Sequence, residues 1–268
     1  MKKLLFILYA YSALFFVIRA GWCASLEKGW DAFNKGNATA AFQEWESLAE
    51  QGDAEARFLI GAMYYEGHGI FRDRQKAAHW YKLAAEQGTP EARFLLGWMH
   101  AKGHGVPQDC REAITWYRLA ADQGLALAQT SLGLMHLRGQ GIPQDYKEAF
   151  RWLKQAADQG EGIAQTNLGS MYIKGYGISR DYKQAAYWYR QAADRGIPAA
   201  QVKLAMMYEY GLGVIKDYVS ACMWYSLGAL HGNRIAIERR DIVEKKMTPS
   251  QKEKAQQLAG ERLAEHRD

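Results

Sequence analysis

The sequence predicts an all-α solenoid of antiparallel helical hairpins, and three observations carry that prediction. A 36-residue unit recurs five times without insertion or deletion, over residues 53–88, 89–124, 125–160, 161–196 and 197–232. Nine columns are identical in every copy, represented in the second by Ala92, Met99, Gly103, Gly105, Asp109, Ala113, Trp116, Ala121 and Gly124. In each copy Gly-x-Gly followed by Asp falls at the same place, which marks a helix end, a tight turn and a new helix start. A period of this length means that each unit buries its apolar face only against its neighbours. Stacked hairpins are expected to wind into a right-handed superhelix.

The chain opens with Lys2-Lys3 and an apolar run over residues 4–18. That run has the length of the apolar core of an export signal and is short for a membrane span. Residues 1–24 therefore read as a signal peptide, with an uncleaved inner-membrane anchor through residues 4–18 as the alternative. Either way the repeats are expected outside the cytoplasm, in the periplasm or secreted. Residues 25–52 read as an N-terminal capping repeat, with Trp45 in the tryptophan role. As a terminal residue, Trp45 is expected to have fewer neighbours than Trp152 in the middle of the array.

Within each full unit of residues 53–232, columns such as Ala92, Leu96, Met99 and His100 mark one face of a first helix. The glycine pair Gly103 and Gly105 ends it, and Asp109 caps a second helix, with Asp109…Glu112 forming a capping box. Ala113, Trp116, Tyr117, Ala120 and Ala121 are the buried stripe of that second helix, the tryptophan filling the space between hairpins. A further glycine column, Gly61, Gly97, Gly133 and Gly169, becomes Ala205 in the last unit, and Gly228 replaces an alanine there. These departures predict a looser C-terminal interface. Residues 233–268 form a helical cap, with Thr248-Pro249-Ser250-Gln251 starting its last helix and a polar outer face including Lys252 and Lys254.

Composition narrows the function. The formal charge is +5, but residues 1–24 carry Lys2, Lys3 and Arg19 and no acid, so the chain without them stands at +2. Interspersed charge of that size argues against nucleic acid, and against a membrane apart from the signal segment. Catalytic, cofactor and metal sites are all expected to be absent. His100 and His104 are spaced as two ligands would be but lack a third. His100 is read as a core position and His104 as a turn residue beside solvent. The aspartate column reads as helix caps rather than acids, and no serine, threonine or cysteine has the context of an activated nucleophile.

The unit A-x-x-x-[LI]-G-x-M-[YH]-x-x-G-x-G-[VI]-x-x-D-x-x-x-A-x-x-W-Y-x-x-A-A-x-x-G resembles the Sel-one-like repeat, a tetratricopeptide-type hairpin. The resemblance spans residues 53–232 and implies a non-enzymatic scaffold that gathers other proteins, in bacteria often an exported one. One cysteine-rich branch of that family is tied to β-lactam or peptidoglycan chemistry, and an envelope enzyme of that type is the alternative. Its paired cysteines are missing here, where Cys23, Cys110 and Cys222 stand alone.

A protein or peptide partner needs a surface, and the first helices supply a candidate. Positions three, seven, ten and fourteen of the unit point away from the packed face. They begin acidic, with Glu55, Leu59, Ala62 and Glu66, then Glu91 and Leu95. The stripe continues through Trp98, Lys102, Leu134, Arg138, Ile163, Asn167, Ser170 and Lys174 to Lys203, Met206 and Tyr210. Trp98, Lys102, Leu134, Arg138, Lys174, Lys203, Met206 and Tyr210 are the candidate partner-binding groove on the concave side. They combine apolar anchors, Trp98 foremost and read as lying outside the core, with cations.

Overall fold

The computed structural model describes residues 23–230 and 232–265. The signal segment thus lies outside the described residues, apart from Cys23 and Ala24. Among the described residues there are 14 helices and no strand, and none of those helices is long and apolar enough to cross a membrane.

They fall into two compact units, one running through residue 128 with residues 140–142, the other comprising residues 129–139 and residues from 143 onward. The first holds hairpins α1 (Cys23–Asn34) with α2 (Ala38–Glu50), α3 (Ala54–Glu66) with α4 (Arg74–Glu86), and α5 (Pro90–Lys102) with α6 (Cys110–Asp122). Helix α7 (Ala126–Arg138) contributes residues to both units. The second unit also holds α8 (Tyr146–Asp158), α9 (Gly162–Lys174) with α10 (Tyr182–Asp194), and α11 (Pro198–Tyr210) with α12 (Tyr218–Ala229). Helices α13 (Arg234–Glu244) and α14 (Pro249–Glu265) close it, both packing on α12.

The turns within the hairpins have chemical causes. Where a first helix ends, Gly103 takes a left-handed conformation at φ 69° and returns its amide to the Met99 carbonyl. Gly67, Gly175 and Gly211 do the same. The second glycine of the pair serves a different need. A Cβ on Gly105 would lie 2.2 Å from the Arg74 carbonyl oxygen of the preceding hairpin, and one on Gly213 would lie 2.2 Å from that of Tyr182. Two hairpins meet backbone to backbone there, and no side chain fits.

The five aspartates cap as expected, each carboxylate accepting from amides of the next turn. The capping box is only half realised. The Asp109 amide donates not to Glu112 but to the His100 carbonyl of α5, at 2.9 Å, and the equivalent bond recurs in all five units. The cap residue thereby ties its own helix to its hairpin partner. The reciprocal box does form at Thr248 and Gln251, where α14 begins without a hairpin behind it.

Packing corrects the tryptophan reading. Trp152, Trp188 and Trp224 are buried, whereas Trp80 and Trp116 are half-buried. The residue that follows is the deeper one in every unit: Tyr81, Tyr117, Leu153, Tyr189 and Tyr225. It sits against the glycine of the first helix. A Cβ on Gly61 would approach the Tyr81 ring to 2.7 Å, and one on Gly97 would approach that of Tyr117 to 2.9 Å. Trp45 belongs to this deeper column, since it stands seven residues before Gly52 as Tyr81 stands seven before Gly88. It is 1% exposed, packs on Gly29, tilts against Trp30 with ring centroids 4.8 Å apart, and donates its indole N–H to the Leu26 carbonyl. The cap tryptophan is therefore as enclosed as any in the array.

The C-terminal interface is not loosened either. Ala205 and Tyr225 are fully buried, and the absent side chain at Gly228 admits Val202 and Ala236 of α13. Successive hairpins are also fastened by long donors at one column. Arg57 and Arg93 donate through Nε to the Ala49 and Ala85 carbonyls, at 3.0 and 2.9 Å. Gln165 and Gln201 donate through Nε2 to those of Ala157 and Ala193, at 3.1 and 3.3 Å. Each bond adds a side-chain donor from the next hairpin to a carbonyl in the last turn of the preceding helix, which also accepts the closing glycine amide.

Candidate functional site

In the first unit the outward stripe is narrower than the sequence pattern suggests. Leu59, Ala62 and Leu95 are buried, because α3 and α5 are covered over more than one face. Trp98 is half-buried, its ring edge-on to Tyr65 at 5.7 Å and to His104 at 4.9 Å between centroids. Tyr65 Oη and His104 Nδ1 are 3.2 Å apart. Trp98 is thus a wall of an aromatic trio rather than a free anchor, and His104, a half-buried residue of the turn, is the third member of that trio. Burial, with Arg74 and Lys102 nearby, holds the His104 pKa below its ordinary value. Lys102 is exposed. Glu55 is half-buried, and burial first, then Asp53 and Glu91, raises its pKa.

In the second unit the stripe keeps more of its expected character. Leu134 and Met206 are half-buried, while Arg138, Lys174 and Tyr210 are exposed. Lys203 is half-buried with its ammonium 5.7 Å from the Tyr189 ring centroid, and Tyr189 Oη lies 2.9 Å from Ser170 Oγ. Burial first, and then the neighbouring Lys174 cation, lowers the Lys203 pKa. The Lys174 ammonium stands 5.2 Å from the Tyr176 ring, itself stacked on Tyr146 with centroids 4.4 Å apart. Lys174 and Lys203 thus each stand over a tyrosine ring of their own.

Tyr210 is anchored from the C-terminal cap. Arg239 of α13 donates to Tyr210 Oη at 2.6 Å and contacts Glu209 Oε1 at 3.4 Å. The Glu209 carboxylate is buried and also accepts from Tyr225 Oη at 2.8 Å. Sequence reasoning missed Tyr189, Tyr176 and Arg239 as supports of the face. The only signal was the aromatic residue that follows the tryptophan column, and it marked Tyr189 alone.

Among the described residues no group of three or more His, Cys, Asp or Glu could hold a metal ion. The caps Asp109 and Asp145 have pKa values below the ordinary range, because backbone amides bond their carboxylates. Cys110 and Cys222 are free thiols, and burial beside Glu244 pushes Cys222 up to about 11.

Hairpins of this length, glycine pattern and fastening can be set beside known proteins. The Sel1 repeat family model matches residues 54–89, 90–125, 126–161, 162–197 and 198–233. The chain belongs to the Sel1 repeat family. Among solved structures, a Sel1 repeat protein from Oxalobacter formigenes is 30% identical, with 88% of this chain and 96% of that one covered and a TM-score of 0.76. A protective antigen of uropathogenic Escherichia coli is 28% identical over 90% of this chain and 68% of that one, at a TM-score of 0.45. A Sel1 repeat protein from Klebsiella pneumoniae is 23% identical over 76% and 99%, at 0.48. No curated protein matches the chain. The Sel1 repeats make this protein a helical scaffold.

Proposed function

We propose that the chain is an exported, non-enzymatic scaffold that binds protein partners through the outward positions of its first helices. The observation that carries the reading is a division of labour between columns. The inward columns repeat one set of contacts, glycine against tyrosine and methionine in the core. The outward positions of α9 and α11 instead present Ile163, Lys174, Lys203, Met206 and Tyr210, at positions that vary between the repeats. Apolar side chains beside cations are what a desolvated recognition patch requires. Export is supported by Lys2-Lys3 and the apolar run over residues 4–18.

Photo-crosslinking in cells tests the reading. A crosslinker at position 163 or 210 is expected to trap the same protein, and trapping is expected to be lost in Lys203→Glu with Met206→Asp. A crosslinker at Leu119, also exposed on a second helix, is expected to trap nothing. The reading fails if positions 163 and 210 trap nothing or if the double variant traps the partner undiminished. Fractionation tests export: full-length mass in the cytosol overturns it, and full-length mass in the membrane favours the anchor.

A further inference from the structure

The second hairpin meets the third at a cluster of side chains whose polar groups are left unanswered. Tyr65 near the end of α3, Arg74 at the start of α4, Trp98 of α5 and His104 of the following turn compose it. The Arg74 guanidinium carbon lies 5.7 Å from the Tyr65 ring centroid. The same tyrosine is edge-on to Trp98 and bonded through its hydroxyl to His104. Gly105, next to His104, meets Arg74 directly, a Cβ there falling 2.8 Å from that of Arg74. Tyr65 is buried, whereas Arg74, Trp98 and His104 are half-buried, so the cluster borders solvent.

Nothing within the fold balances the charge of Arg74. Its Nε is enclosed and donates to no acceptor, and among the described residues it forms no ion pair. The adjacent Asp73 engages its carboxylate with the Gln75 and Lys76 amides, and Glu66 forms no ion pair either. A cation in the first turn of a helix also opposes the helix dipole. The other four units carry Cys110, Tyr146, Tyr182 and Tyr218 at this position. His104 adds a second open group. When Tyr65 donates to Nδ1, the ring proton sits on Nε2, which has no partner among the described residues. A partly desolvated guanidinium without a counter-charge is unfavourable until an anion joins it.

We propose that this junction of the second and third hairpins binds an acidic peptide segment, a carboxylate pairing with Arg74 and His104 while an adjoining aromatic side chain packs on Trp98. The site does not depend on the face of α9 and α11. The planar fork of a guanidinium matches a carboxylate with two parallel bonds. The Trp98 ring calls for an apolar group on the same ligand, best an aromatic one, which a peptide supplies and a free inorganic anion does not. One guanidinium is too little for an anionic lipid surface, which needs a cluster of cations.

The test uses the full chain and labelled synthetic peptides: one alternating glutamate with phenylalanine, one with glutamine for each glutamate, and one with alanine for each phenylalanine. Fluorescence anisotropy reports the affinity. The first peptide is expected to bind at least about tenfold more tightly than either of the others. Arg74→Gln should erase its advantage over the glutamine peptide, and Arg74→Lys, which keeps the charge but not the fork, should retain only part of it. His104→Phe keeps a ring against Trp98 but loses the donor, and should reduce it. Arg118→Gln removes the same charge from an exposed position on α6 and should leave affinity unaltered.

Undiminished binding in Arg74→Gln, with circular dichroism unchanged, overturns the site. Should that variant not fold, full affinity in Arg74→Lys overturns it instead. Equal binding of the glutamate and glutamine peptides overturns the acidic partner. Equal binding of the phenylalanine and alanine peptides makes a bare carboxylate the ligand and overturns the peptide. Binding of none overturns the inference, and each of these outcomes leaves the crosslinking at positions 163 and 210 to be judged by itself.

Discussion

At the scale of single residues, the deciding contact is a ring laid on a glycine. Gly97 has no left-handed backbone to explain it, and its place is set by the Tyr117 ring and the Ala113 carbonyl, 2.9 and 3.1 Å from where a Cβ would stand. Gly97→Ala should cost about 1–3 kcal/mol by overpacking, read as a fall in the urea midpoint at constant m-value. This pairing was hidden in the sequence because neither column is uniform: Leu153 interrupts the tyrosines and Ala205 the glycines. The same gap in the pattern put Trp45 in the wrong column. Trp45→Ala should now cost as much as Trp152→Ala, about 3–5 kcal/mol each, and a clearly smaller shift for Trp45 would contradict its enclosure. Trp98→Ala should also lower the midpoint, because the Tyr65 and His104 rings lose their wall.

Glu55 gives a pH test at the same scale. Its pKa is raised in the fold, so its charged form opposes folding, and the fold gains as pH falls through that raised value. Glu55→Gln should therefore raise the unfolding midpoint at neutral pH. The advantage over the unaltered chain should fade once pH drops below the ordinary glutamate range. A constant advantage across that range would show that burial of Glu55 is not the cause.

At the scale of the element, the hairpin was legible almost entirely. Glycine ends each first helix, aspartate starts each second one, and a period of 36 residues places both. The bond from the cap amide back to the first helix was not legible, since a backbone donor leaves no trace in residue type. It bears on acid stability as well. Asp145 has its pKa lowered by amides of its own helix, so its contribution is present above the unfolded value and is lost as pH falls through the folded one. Asp145→Asn, which keeps an accepting oxygen, should flatten that acid limb with little effect at neutral pH. Asp145→Ala should lower the midpoint at neutral pH too.

At the scale of the whole molecule, the Sel1 repeats divide the chain into columns that build and columns that vary. The building columns could be read from repetition alone. The varying ones could be named but not graded, since exposure depends on how far the neighbouring helices reach. That is why Leu59 and Leu95 joined the core while Lys203 and Met206 stayed at its edge.

The fasteners between hairpins have a consequence for how such a chain can change length. Gln201 now bonds the Ala193 carbonyl, while Gln165 bonds that of Ala157. Excising residues 161–196 would bring Gln201 to Ala157, and the new seam would be chemically the same as the two it replaced. Whole units are thus interchangeable parts. Gain or loss of a single residue, by contrast, would drive a side chain into the place where Gly177 meets the Tyr146 carbonyl, 2.4 Å from where a Cβ would stand. A chain shortened by residues 161–196 should fold cooperatively, and one shortened by a single turn residue should not. Circular dichroism during thermal unfolding distinguishes them. Length in this protein is free to move only in steps of one hairpin.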